Sequence, residues 1–294
     1  MKIKNSTGDR IFNIVNYTLL GLLLLVVIYP LWFVLIASFS DPSAVNIGKV
    51  WLLPVRPSLA GYIRIFENEK IWTGYMNTIM YTVLGVMFNL FLTMTIAYVM
   101  TIKNLSIRKP LLVFVMIPMY FSGGLIPTYI TVSNLNLDNT RLAMIILGGL
   151  SIYNVIIARS FIKGGVPDEL FESASLDGCS HLRFFISFVL PLSKAGIAVL
   201  VLYYGVSHWN EYMNSLIYLR DSKLYSLQII LRNILLQEQT LDMTDDILSI
   251  VEKAKTASLI KYGVVIVSSV PVLIMYPFAQ KYFVQGTMIG SLKG

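Results

Sequence analysis

Four acidic side chains fall in one short stretch of a charge-poor chain: Asp168, Glu169, Glu172 and Asp177, in the run GGVPDELFESASLDGCSHLRFFISFVLPLSK. Pro167 suits the first turn of a helix, and Asp168 and Glu169 suit its positive end. Leu170, Ala174 and Leu176 then alternate with small and acidic residues, and Gly178 either stops this helix or turns it sharply. A second short helix from about Ser180 should lead into the next apolar run. Two short, exposed helices of this kind form a docking knob for another protein, or a capped interfacial helix that anchors a loop. A different set of polar residues sits at or near apolar segments: Tyr120, Tyr129, Asn154, Tyr204, Trp209, Asn210, Glu211 and Tyr212. Near a membrane, such groups need a cavity or a partner, because exposure to lipid is costly. They either line a pathway or make helix–helix and gate hydrogen bonds. His181 and His208 are too few for a histidine-rich metal site, and the single Cys179 cannot form an internal disulfide.

The elements that must position these residues follow from composition. Of 294 residues, 56% are hydrophobic and only 13% charged, with a mean hydropathy of +0.70. Soluble domains carry roughly 25% charged residues, so an ordinary soluble enzyme and a disordered chain are both excluded. The net charge of +7 does not collect in one stripe, which argues against nucleic acid. An all-α, polytopic membrane protein remains. A bilayer core needs roughly 20 helical residues, and apolar runs of that order give six expected spans, at about 11–39, 77–100, 110–130, 142–161, 182–212 and 260–283. Pro30 should bend the first span rather than end it. Pro118, Gly123, Gly124 and Pro127 interrupt the third, Pro191 falls near the start of the fifth, and Pro271 and Pro277 fall in the sixth. The first run is long enough to span and shows no cleavage pattern.

Lys and Arg set the expected orientation. Lys2, Lys4 and Arg10 precede span one, and Lys103, Arg108 and Lys109 fill the short loop after span two. Arg159, Lys163 and Arg183 flank the acidic stretch, and Lys281 and Lys293 follow span six. Both ends, residues 1–10 and 284–294, and the loop 165–181 are therefore expected in the cytoplasm. The two long loops, Ser40 to Trp72 and Asn214 to Ser258, then face outward. The second carries an acidic patch at Asp242, Asp245 and Asp246. It also carries LYSLQIILRNILLQ, whose Leu227, Ile230, Leu231, Ile234 and Leu235 recur at helical spacing. That helix either covers the ends of the bundle or meets the cargo.

Glu172-Ser173-Ala174, then Gly178, then Phe188-Val189-Leu190-Pro191 resembles the EAA motif of ABC importer permeases: E-A-A, three residues, G, nine residues, I-x-L-P. Ser173 and Phe188 are the departures. Trp209-Asn210-Glu211-Tyr212 resembles the W-N-[DE]-[FY] stretch of sugar permeases similar to the smaller maltose-permease subunit. The ending from Tyr282 to Gly294 is like theirs, and Phe121 to Tyr129 (FSGGLIPTY) resembles the polysaccharide, lipoprotein-associated branch. The resemblance covers essentially the whole chain and implies the type I importer permease fold in a bacterial plasma membrane. It makes Glu172, Ala174, Asp177 and Gly178 the coupling residues that meet an ATPase, with Gly178 allowing the turn. It also implies partners: a second, similar permease, an ATPase dimer that binds ATP and Mg, and an extracellular lipoprotein or periplasmic binding protein that delivers an oligosaccharide. The chain has no G-x-x-x-x-G-K-[ST] loop, so ATP hydrolysis is expected in a separate subunit and no cofactor in this one. Sugars offer hydroxyls and flat apolar ring faces, which suit the aromatic and amide candidates named above as a path. The glycine-bearing tail is expected either to reach the ATPase or to end without order. The rival readings are an importer of another solute, an intramembrane hydrolase, and a secondary transporter. The hydrolase lacks paired ionisable residues in the spans. The secondary transporter should show internal repeats and midplane ion-binding groups, and neither is found.

Overall fold

The computed structural model describes residues 6–103, 105–121, 123–237, 258, 260–277 and 280. The described residues are helices and their connections. They fall into two compact units: Met1–Glu69 with Leu231–Ser269, and Lys70–Ile230 with Val270–Gly294.

In the first unit, α1 (Thr7–Ser38) starts at a capping box in which Ser6 and Asp9 satisfy each other's backbone N–H groups. It runs through Pro30 to the end of the apolar stretch, so it begins four residues before the expected span. Nearly all its side chains are exposed, including Leu22 to Ile28. Only its last turn is buried, where Ile36 and Ala37 pack with Ala44, Val45 and Val50. The segment expected as a long polar loop contains two short helices: α2 (Pro42–Asn46) is capped by Asp41, and α3 (Ala60–Glu67) follows. Tyr62 of α3 shares a hydrogen bond with Ser38. Gly263, on the last described helix (α14, Ile260–Pro277), leaves room for Tyr62 and Ile65.

The second unit centres on α4 (Glu69–Val99), which begins eight residues before the expected second span. Its buried side recurs every fourth residue at Asn77, Tyr81, Gly85, Asn89, Thr93 and Ala97, a stripe close to the 3.6-residue period. α5 (Arg108–Tyr120) and α6 (Leu125–Asn134) form the third expected span as a pair bent by 116°. The bend falls where the Gly123–Gly124 pair precedes α6, with Gly124 at φ +82°.

The fourth expected span, 142–161, is not one helix. α7 (Arg141–Ile146) and α8 (Ile152–Gly165) are separated by a break at Leu147–Ser151. Gly148 adopts φ +73° there, a conformation that ends a helix, and Ser151 caps α8. The fifth, 182–212, is bent as well. α10 (His181–Leu192) contains a π turn at Phe185–Val189 just ahead of Pro191, and it meets α11 (Lys194–Trp209) at 80°. α11 then ends at a corner before α12 (Met213–Tyr218). By length and apolarity, α1, α4 and α14 can each cross a membrane, and each of the two bent pairs can make one further crossing.

α13 (Leu227–Gln237) is the amphipathic helix read from the sequence. Leu227, Ile230, Leu231 and Ile234 are buried, Leu235 is half-buried, and Ile229 is buried too. Its first turn is built into α4: Thr78 accepts from the Leu227 N–H (2.8 Å), and Gly74 is required by the closeness of Ile230 and the Leu227 backbone. Asn77 donates to the carbonyls of Lys223 and Tyr225, and Tyr81 to that of Leu224. These bonds fix the segment Lys223–Leu227, and so the start of α13, on α4. The acidic patch at Asp242, Asp245 and Asp246, the residues Lys281 and Lys293, and the tail 284–294 lie outside the described residues.

Candidate functional site

α8 passes through Val166 directly into a helical hairpin, α9 (Asp168–Leu176) and α10, which occupies the expected loop 165–181. Pro167 opens α9, with Asp168 and Glu169 in the first turn as the helix dipole favours. Closure is made by the main chain. The Cys179 N–H donates to the Ala174 carbonyl and the Gly178 N–H to the Ser175 carbonyl, both at 3.0 Å. That pair of bonds is a Schellman motif, which needs a left-handed residue after the cap. Gly178 supplies it at φ +77°, with nothing within 4 Å of where a Cβ would stand. Ser180 then caps α10 by accepting from the Arg183 N–H.

The inner face of the hairpin is aromatic. Phe171 stacks on His181 with ring centres 4.6 Å apart and meets Phe184 edge-on at 5.0 Å. His181 Nδ1 hydrogen-bonds the Tyr98 hydroxyl (3.0 Å) at the end of α4. Ala174 is buried in the same core as Phe184 and Val189. The opposite face is open: Glu172, Ser175, Asp177 and Gly178 are exposed, and Leu176 is 90% exposed. Of the four expected coupling residues, Glu172, Asp177 and Gly178 therefore present themselves outward, and Ala174 holds the hairpin to the body.

A groove of about 1230 Å³ runs beside the hairpin, with Lys103, Arg108 and Lys163 along it together with Asp168, Glu169 and Glu172. Lys103 Nζ lies 2.6 Å from Asp168 Oδ2. The Asp168 carboxylate pushes the Lys103 ammonium above its usual range by hydrogen bond and charge. Both groups are well exposed, so this contact ties the α4–α5 connection to α9 without adding much stability.

The eight path candidates stand in different local settings. Tyr120 is exposed at the end of α5. Tyr129 stacks on Tyr218 at 6.0 Å. Asn154 is buried in the first turn of α8. Tyr204 is 3% exposed; it shares a hydrogen bond with Thr93 (2.7 Å) and accepts from the Ser151 N–H (3.3 Å). The Trp209–Tyr212 stretch is a helix corner. Trp209 is buried edge-on against Tyr75, the Asn210 amide donates to the Val206 carbonyl, and Tyr212 is exposed. Glu211, one residue ahead of the N-cap Tyr212, accepts from the Asn214 N–H (2.9 Å) in the first turn of α12 and so satisfies one free donor there. This geometry predicts that Glu211→Gln, which keeps an acceptor, leaves uptake near normal. Glu211→Leu should lower stability by about 1 kcal/mol, the usual worth of a cap, which a thermal melt would detect. Loss of uptake in the Gln variant at unchanged melting temperature would instead give Glu211 a direct part in passage.

Sequence reasoning did not single out Asn89, which is 1% exposed. Its side chain lies 3.2 Å from His208 Nε2; assigned the amide orientation that satisfies its neighbours, it donates to the carbonyls of Gly85 (2.9 Å) and Gly149 (3.3 Å) and accepts from His208. Gly85 has no side chain because the His208 ring lies against it. The signal was present as polar residues every fourth position along an apolar span, Asn77, Asn89 and Thr93 among them.

Long, broken and bent apolar helices, among them helices long and apolar enough to cross a membrane, define a membrane protein of the transport class. The chain belongs to the family described as binding-protein-dependent transport system inner membrane component, which its residues 107–287 match. It is 35% identical to the polygalacturonan/rhamnogalacturonan transport system permease protein YtcP of Bacillus subtilis (strain 168), over 97% of this chain and 99% of that one. Identity to protein LplC of the same organism is 34%, over 99% and 97%. Among solved structures, a bacterial ABC transporter involved in the import of the acidic polysaccharide alginate contains a chain that superposes with a TM-score of 0.86. That chain is 29% identical, and the match covers 96% of this protein and 100% of that chain.

Proposed function

We propose that the chain is the permease subunit of an ATP-driven importer for an oligosaccharide released from an acidic plant- or alginate-type polysaccharide. One observation carries the reading: the exposed α9–α10 hairpin, built at the EAA-like motif and closed at Gly178, in a chain of this family. Two relatives named for polygalacturonan/rhamnogalacturonan and for alginate support the cargo class. A second, similar permease completes the pathway. An ATPase pair docks on the hairpin and binds ATP and Mg, and an extracellular solute-binding lipoprotein delivers the cargo. The distribution of Lys and Arg supports cytoplasmic termini and outward-facing long loops. The mechanism is alternating access. ATP drives it only if the closed ATPase binds one permease conformation more tightly than the other.

The test is reconstitution of the assembled importer in proteoliposomes with its binding protein. Labelled galacturonate or alginate oligosaccharides should be taken up in an ATP-dependent manner, and a neutral glucan of equal length should not. Uptake of the neutral glucan alone would overturn the acidic cargo. Uptake without ATP would overturn the importer.

A further inference from the structure

α8 spans the distance between two special places. Its lower end passes through Val166 and Pro167 straight into the docking hairpin. Its fourteen residues form a rod of about 21 Å at 1.5 Å per residue. Its upper end stands on the Gly148–Gly149 break. Gly148 is exposed, sits at φ +73° and has open space where a side chain would be. Gly149 is buried against Phe88.

Non-helical backbone at membrane depth must be satisfied by protein or by water in a cavity. Here protein does it, from both flanks. On α4, Asn89 and Thr93 lie four residues apart, and on α11, Tyr204 and His208 lie four residues apart, so each pair shares a helix face. They meet as two rungs, Asn89 with His208 and Thr93 with Tyr204. Each rung also holds one backbone group of the break: Asn89 donates to the Gly149 carbonyl, and Tyr204 accepts from the Ser151 N–H. Thr93 and Asn89 are almost fully buried. The break is therefore a non-helical joint held from two sides.

We propose that this double rung is the pivot of α8. It fixes the upper end of the rod so that displacement of the docking hairpin becomes rotation of α8 about Gly148 rather than translation of the helix. Asn89 and Tyr204 are positioning residues that set how tightly ATP hydrolysis and passage of cargo are coupled. The inference rests on the importer reading above.

The experiment compares ATP hydrolysis and uptake in proteoliposomes of the complete importer, with and without cargo-loaded binding protein. Wild-type protein is set beside Tyr204→Phe, Asn89→Leu, and Thr93→Ser as the conservative control. Tyr204→Phe and Asn89→Leu should raise hydrolysis in the absence of binding protein by about fivefold or more, the lower end of ordinary coupling factors. Uptake per ATP should fall by a similar factor. Thr93→Ser, which keeps the hydroxyl, should behave as wild type. An unchanged ratio of stimulated to unstimulated hydrolysis in Tyr204→Phe overturns the pivot. So does a parallel fall of both rates with the amount of assembled complex, which is the signature of a merely structural role. If Asn89→Leu does not assemble, Tyr204→Phe, which preserves the ring, decides alone. Failure of the importer reading is seen separately, as absence of stimulation in the wild-type complex.

Discussion

On the proposed importer reading, Gly178→Val should abolish uptake while leaving the chain inserted in the membrane. Gly178 stands at φ +77°, where a β-branched residue is a conformational outlier. Space is not the obstacle, since nothing lies within 4 Å of the added Cβ. The cost is backbone strain, of order 1–3 kcal/mol. The chain escapes that strain by leaving the left-handed region, which breaks the bond from the Cys179 N–H to the Ala174 carbonyl. α10 then no longer folds back on α9, and the Phe171–His181–Tyr98 stack that fixes the hairpin to α4 comes apart. Gly178→Asn should retain part of the activity, because Asn tolerates this region best after Gly. Uptake assays on membranes checked for permease and ATPase content would settle the matter. Normal uptake in the Val variant would show that the turn does not transmit the power stroke.

Leu176→Asp should detach the ATPase without destabilising the permease. Leu176 is 90% exposed at the tip of α9, so its side chain contributes almost nothing to the fold it belongs to. Burying a leucine in an interface is worth about 1.5–3 kcal/mol, a factor of at least ten in affinity, and a carboxylate there would add a desolvation penalty. The check has two halves: co-purification of the ATPase should fall at least tenfold, and the melting temperature of the isolated permease should not move. Retained ATPase binding would shift the docking contact to Glu172 and Asp177. A lowered melting temperature would mean that Leu176 packs within the permease.

Much of this was legible from the chain alone, because the signals were local. Apolar runs of span length gave α1, α4 and α14. Pro167, the acidic first turn and Gly178 marked both ends of α9, and Ser180 marked the start of α10. The periodic leucines and isoleucines marked α13. What could not be read depends on residues far apart in sequence. Gly148–Gly149 looks like a pair that a membrane helix tolerates, and only Asn89 and Tyr204, from two other helices, make a stable break of it. The Trp209–Tyr212 stretch has the composition of a sugar-stacking surface. In the structure Trp209 packs on Tyr75, and Asn210 and Glu211 make hydrogen bonds at helix ends where the chain turns, contacts that composition alone does not announce. The segment after Ser40 reads as loop from its prolines and charges. It is nevertheless helical at Pro42–Asn46 and Ala60–Glu67, since Asp41 caps one helix and Ile65 buries a face of the other.

The hairpin owes its outline to two amide–carbonyl bonds and one glycine, and its outer side chains take no part in closing it. Glu172, Ser175, Leu176 and Asp177 can therefore change through evolutionary drift without altering the contour they are displayed on. If an ATPase docks there as proposed, its choice is set by side chains that can be exchanged while the backbone contour beneath them stays the same.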